Sequence, residues 1–158
     1  MLFSSKYDGS YTFAFDNIED KELIEKKLQL IRKHTSTIPM FYVLCGFDKN
    51  DKYDDEFWKQ DIFDTFARIE ILMKHNCLPY IMRFNRYLES PYQGVYKTVG
   101  AWCNQPSFFK KKTLREFGIV SGIESARNRY IVDFETLFPD VSQYYDMKWK
   151  PIIKKESD

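Results

Sequence analysis

Long apolar runs are missing from this chain. Nowhere do about 18 uncharged apolar residues follow one another, which excludes a membrane-spanning helix of ordinary length. The opening Met-Leu-Phe-Ser-Ser-Lys has no apolar stretch of signal-peptide length, so the expected setting is cytoplasmic, the cytosol of the host cell. An excess of one charge is missing too. The 24 lysines and arginines face 23 aspartates and glutamates, a net charge of +1, so no long-range field steers the protein to nucleic acid or to an anionic membrane. Cysteine is scarce. Cys45, Cys77 and Cys103 are odd in number and far apart, which fits neither a secreted disulfide framework nor a short-spaced metal site; they read as reduced, buried thiols. Only six glycines occur, and neither G-x-G-x-x-G nor G-x-x-x-x-G-K is among the motifs, so both standard phosphate-binding loops are excluded. The two histidines, His34 and His75, each close a predicted helix, where an imidazolium meets the negative end of the helix dipole. Neither has a Ser or Cys at a spacing that hydrolases use. The expectation is a chain with no catalytic residue, metal or cofactor.

Aromatic and apolar side chains are plentiful, with hydrophobic residues at 44% and 14 Phe beside 11 Tyr. That is too apolar for a disordered chain. The length suits one hydrophobic core, so residues 1–150 read as one domain and residues 151–158 as a flexible tail. YTFAF at residues 11–15 is a β-rich run. Residues 19–34 turn helical in period, with Ile24, Leu28 and Ile31 on one face, acidic residues first and basic residues last. MFYVLC at residues 40–45 reads as a strand buried on both faces and ends at Gly46. Over residues 54–75, Trp58, Ile62, Phe66, Ile69 and Met73 recur at helical spacing, leaving Lys59, Asp64, Arg68 and Lys74 for the exposed side. LPYIMRF at residues 78–84 gives a third strand, with Pro79 tolerated at its start. A helix over residues 92–103 presents Val95, Val99 and Trp102, residues 113–117 give a helical turn, and RYIVDF at residues 129–134 reads as a fourth strand. Strands separated by helices of this length require parallel crossovers. The fold class is therefore α/β: a parallel (βα)-repeat, half-barrel-like sheet with flanking helices and an irregular C-terminal segment.

Parallel α/β sheets bind ligands at the carboxyl ends of their strands. Here those ends carry Asp16 and Asn17, then Asp48, then Arg83, Asn85 and Arg86. Asp and Asn at such places commonly cap helices or shape turns, and that reading takes precedence for them. Phe108, Phe109, Lys110, Lys111 and Lys112, followed by Arg115, interleave aromatics with cations as a single-stranded nucleic-acid site would. The plainer account is a connector whose phenylalanines pack inward while its lysines stay in water. Direct nucleic-acid binding through this segment, with Arg127 and Arg129, is an alternative that the near-neutral charge does not favour.

The runs YTFAFDNIEDKE, MFYVLCGFD and LPYIMRFNRYLESPYQGVYKTVGAWCNQPSFFKKKTLREF carry a resemblance. Their most specific pieces are FYVLCGFD, LPYIMRFN and the pattern W-x-N-x-x-x-F-F-K over residues 102–110. Across roughly residues 10–117 the chain resembles the C-terminal half of radical S-adenosylmethionine proteins of phages and prophages. The resemblance implies the last three strand-helix units of a six-unit partial barrel, with Asp16, Asp48 and Asn85 at the active-site mouth. The family's cluster needs C-x-x-x-C-x-x-C on one loop, which Cys45, Cys77 and Cys103 do not supply.

A three-stranded half-barrel leaves one sheet face bare. Four apolar side chains left in water would forgo about 6–12 kcal/mol at ~1.5–3 kcal/mol each, comparable with the stability of a whole domain. The cover is the segment from Leu114 to Trp149, a second copy in a homodimer, or a different protein. The expected function is accordingly non-enzymatic: an interaction protein with a protein or nucleoprotein partner, Asp48, Arg83, Asn85, Arg86 and residues 108–112 forming its contact site. The phage resemblance implies an inhibitor of a host defence nuclease, of the anti-CRISPR type. Its alternatives are a subunit completing a split radical S-adenosylmethionine enzyme and an RNA-binding module.

Overall fold

The structure, a computed structural model, describes residues 12–34 and 38–150; the N-terminal residues and the expected flexible tail at 151–158 lie outside the described residues. Three strands, β1 (Thr12–Ala14), β2 (Met40–Cys45) and β3 (Leu78–Arg83), form a parallel sheet in sequential order. The register sets Phe13 beside Phe41, Tyr42 beside Tyr80, and Val43 beside Ile81. Helices α1 (Lys21–His34) and α2 (Asp55–Lys74) are the two crossovers, and α3 (Gln93–Cys103) follows β3. The α/β class with a parallel sheet flanked by helices is the expected one. Asp54 starts α2 by accepting the Phe57 N–H at 2.8 Å, the usual way to satisfy a helix's first free donors.

Burial on the sheet alternates. Phe13, Phe15, Phe41, Val43, Cys45 and Ile81 face the helices and are almost fully buried. They meet Ile24 and Leu28 of α1, Trp58, Ile62, Phe66 and Ile69 of α2, and Val95, Val99 and Trp102 of α3 in one continuous core. The apolar faces read from the sequence are those the molecule buries. Space left between α2, α3 and the sheet amounts to about 10 Å³, the lower limit for a single water molecule.

The C-terminal part departs from expectation. Residues 129–134 are not a fourth strand; they lie inside α6 (Ala126–Leu137), which follows the short α4 (Pro106–Phe109) and α5 (Leu114–Gly118). Ser125 caps α6 by accepting the Asn128 N–H. Ile131 and Phe134 are buried while Tyr130 and Val132 are exposed, a spacing of three that a helix produces and an alternating strand does not. Gly94 of α3 and Gly118 make the close approach of α6 feasible, since a Cβ at either would collide with the Tyr130 ring or the Ile131 side chain. A last turn, α7 (Ser142–Tyr145), is the final element among the described residues. The segment from Leu114 to Trp149 does not cover the sheet. Phe134 and Phe138 pack on Phe63 and Tyr92, and Tyr144 stacks on Phe66 at 5.5 Å, so it lies on the outer side of α2 and α3. Arg115 fastens it, reaching Glu135 at 2.7 Å and Asp146 at 3.0 Å.

Candidate functional site

Among the described residues nothing covers the second sheet face over Tyr42, Tyr80 and Met82, while Leu78, at the start of β3 on the same face, is buried. Met40, Tyr42 and Leu44 of β2 alternate with the buried residues, and Leu78, Tyr80 and Met82 of β3 stand beside them in register. Tyr42 is 38% exposed, Tyr80 39% and Met82 47%, with Met40 and Leu44 half-buried. The reading of MFYVLC as a strand buried on both faces is therefore corrected: among the described residues, helices cover it on one side only. The two tyrosine rings meet edge to face at 5.8 Å, a favourable aromatic geometry. Just past the strand ends Phe47, 46% exposed, meets Phe84 edge-on at 5.1 Å. The apolar surface therefore runs from the sheet to the mouth.

The outer edge of β3 is closed by a side chain. Asn104, at the C-terminal end of α3, accepts the Ile81 N–H at 2.7 Å and donates to the Ile81 carbonyl at 3.1 Å. An amide thereby imitates a neighbouring strand and blunts an edge that would otherwise invite pairing. Beside it a groove of about 380 Å³ runs between Tyr42, Tyr80, Asn104 and Pro106.

At the carboxyl ends of β1 and β2 lies a cleft of about 470 Å³ lined by Asp16, Leu44, Phe47, Asp48, Asp61, Asp64 and Arg68 among others. Asp61 Oδ2 accepts the Gly46 N–H at 2.7 Å and the Tyr96 hydroxyl at 2.6 Å, tying α2 to the end of β2 and to α3. Gly46 has φ +77°, a left-handed turn that favours glycine. Burial raises the Asp61 carboxyl above its ordinary value, against the lowering effect of its two donors. Arg68 is corrected from an exposed position to one 2% exposed. Its guanidinium donates to the Phe15 carbonyl at 2.8 Å, to Thr65 Oγ1 and to the Asp64 carbonyl, and burial lowers its pKa. Both residues were legible in principle. Trp58, Asp61, Thr65 and Arg68 step by three and four along α2, which places two charges inside its apolar stripe.

The expected contact residues separate. Asp48 lines the cleft, accepting the Lys52 N–H at 2.8 Å, and Asp16 accepts the Leu44 N–H at 3.3 Å. Asn17 caps the turn at residues 18–20 through the Glu19 N–H, as the turn reading holds. Arg83 turns to the helix side, over the Tyr87 ring at 4.9 Å and beside Gly100. Asn85 is exposed and opens a short 3-10 turn. Arg86 pairs with Glu89 at 2.6 Å and Asp51 at 3.1 Å and lies over Tyr53, on the surface. Phe109 is fully buried against Trp102, and Phe108 is partly buried against Phe117. Lys110 sits over Trp149, Lys111 is exposed, and the Lys112 carbonyl accepts the Trp102 indole N–H at 2.9 Å. Among the described residues no bond or ring contact links residues 108–112 to the mouth. His75 ends α2 with Nε2 3.5 Å from Glu25; the His34 side chain lies outside what is described.

Cys45, Cys77 and Cys103 are free and buried. Burial pushes the Cys45 and Cys77 thiols up to about 12 and the Cys103 thiol upward as well. The three thiols are spread over the end of β2, the residue before β3 and the end of α3. Among the described residues no group of three or more His, Cys, Asp or Glu is placed to hold a metal ion, and no helix is long and apolar enough to cross a membrane. No family model, curated protein or solved structure matches the chain.

Proposed function

We propose that this chain is a non-enzymatic binding protein whose open sheet face is the surface a protein partner covers. The observation that carries the reading is the exposure of Tyr42, Tyr80 and Met82 on a parallel sheet. Parallel sheets are covered on both faces as a rule, and contiguous apolar surface rimmed by polar residues marks an interaction site. Tyrosines add to the case, because large amphipathic rings concentrate binding energy at interface centres. A host defence nuclease, which the resemblance to phage proteins implies this chain inhibits, is one partner class in keeping with such a face.

A second reading has its own support. An open face that continues into a polar cleft at the strand ends is what half of a barrel offers when a separate polypeptide supplies the rest, with the cluster cysteines on that other chain. The two readings share a test. Photo-crosslinking through p-benzoylphenylalanine at Tyr80 in producing cells should give a discrete adduct, and the same probe at Lys97, exposed on α3, should not. Mass spectrometry of the adduct separates the readings by whether the captured chain carries C-x-x-x-C-x-x-C. Adducts from position 97 and none from position 80 would overturn both.

A further inference from the structure

The cleft at the ends of β1 and β2 has a charge that the molecule as a whole does not. Asp16, Asp48, Asp61 and Asp64 line it, against Lys49 and Arg68. None of the four carboxylates has an ion pair within 4.0 Å among the described residues, and Arg68 is engaged by backbone carbonyls and Thr65. No metal-binding grouping occurs among the described residues, so the acids act as separate charges along the cleft wall. The cleft is continuous with the open face, because Leu44 and Phe47 belong to its lining and to the apolar surface.

We infer that the open face and this cleft form one docking surface for a basic amphipathic protein segment. Its apolar side chains lie on Tyr42, Tyr80 and Met82, and its Lys or Arg side chains enter the cleft beside Asp16 and Asp48. The inference rests on the proposed binding role and adds the chemistry of the partner. Charge complementarity chooses among occupants. Nucleic acid and anionic membranes would bring phosphates to a wall of carboxylates. A second copy docking face to face would bring the same acids, with only Lys49 to answer them. A small amine would use the cleft and leave the tyrosines bare.

The test is selection of a random peptide library displayed on yeast against the immobilised protein, followed by titration of the enriched peptides. Enriched sequences should combine two or more Lys or Arg with aliphatic or aromatic residues, and their affinity should fall as salt rises. Asp16→Asn with Asp48→Asn should weaken them about tenfold. Those substitutions keep the acceptors for Leu44 N–H and Lys52 N–H, so the fold should be unchanged by circular dichroism. Tyr42→Ser with Tyr80→Ser should weaken them roughly a hundredfold, as loss of two central aromatics does. Enriched peptides that are neutral or acidic, or that ignore the Asn pair while losing affinity in the Ser pair, would overturn the basic-partner inference and leave the binding face standing. Peptides indifferent to both pairs would remove both. Concentration-dependent dimerisation abolished by the Ser pair would make a second copy the occupant and overturn the inference.

Discussion

Removing the Asp61 carboxylate should unfasten the end of β2 from α2 and α3, and the two ways of removing it should differ. In Asp61→Ala the Gly46 N–H and the Tyr96 hydroxyl lose their shared acceptor. An unpaired buried donor costs ~1–3 kcal/mol, so the gross loss is about 2–6 kcal/mol. Relief from holding a carboxylate in a desolvated place subtracts from it. In Asp61→Asn the amide oxygen can take the Oδ2 position and accept both donors while the amide nitrogen turns to the cleft, so stability at pH 7 should lie within about 1 kcal/mol of wild type. The two also differ with pH. The folded-state pKa of Asp61 is raised above 3.8, so between 3.8 and that higher value the folded chain holds more protons than the unfolded one. Stability from this group is present at lower pH and lost as pH rises through the window. Asp61→Asn lacks that loss, so its stability relative to wild type should improve as pH rises from about 4 towards neutrality. Urea unfolding across pH measures both effects. Asp61→Ala as stable as wild type, or Asp61→Asn as damaging as Asp61→Ala, would show that the carboxylate does not hold β2 to α2 and α3.

Two further substitutions test the packing. Phe66 is fully buried against Tyr144 and Tyr145, so Phe66→Ala should cost ~3–5 kcal/mol, read as a lower urea midpoint; an unchanged midpoint would place α2 on the wrong face. Asn104→Ala should cost ~1–2 kcal/mol and speed amide exchange at Ile81, whose edge groups it frees. Unchanged exchange at Ile81 would show that the edge is closed by something else.

The repeating part of the fold is legible in the sequence because its signals are local. Ile24, Leu28 and Ile31, and then Trp58, Ile62, Phe66 and Ile69, mark helix faces, and the apolar runs between them can only be short strands. Periodicity does not say whether a strand such as MFYVLC is buried on one face or two, because Tyr42 is apolar without being covered and Leu44 is only half-buried. Tertiary context decides, and here the C-terminal segment packs on the helices. RYIVDF misleads for a related reason: its β-branched and aromatic residues suit a strand, while the Ser125 cap and the Ile131–Phe134 spacing select a helix. Of the candidate site, Asp16 and Asp48 were visible as strand-end acids. Arg83 and Arg86 were visible as charges, but not the turn of Arg83 over Tyr87 or the reach of Arg86 to Asp51, which the course of the chain after β3 decides. Arg68 reads as a surface charge when only the main apolar face of α2 is followed, and its step of three and four with Trp58, Asp61 and Thr65 is the signal that places it inside.

A Tyr42–Tyr80–Met82 face that is bare in the isolated chain can be read directly from the oxidation of its methionine. Dilute hydrogen peroxide converts accessible methionine to sulfoxide, and peptide mass spectrometry resolves each site. Met82 is 47% exposed on that face, whereas Met73, on α2, is 7% exposed. At low protein concentration Met82 should oxidise many times faster than Met73. Oxidation of Met82 as slow as that of Met73 would mean that the face is covered within the chain itself, and the account of it as a docking surface would be wrong.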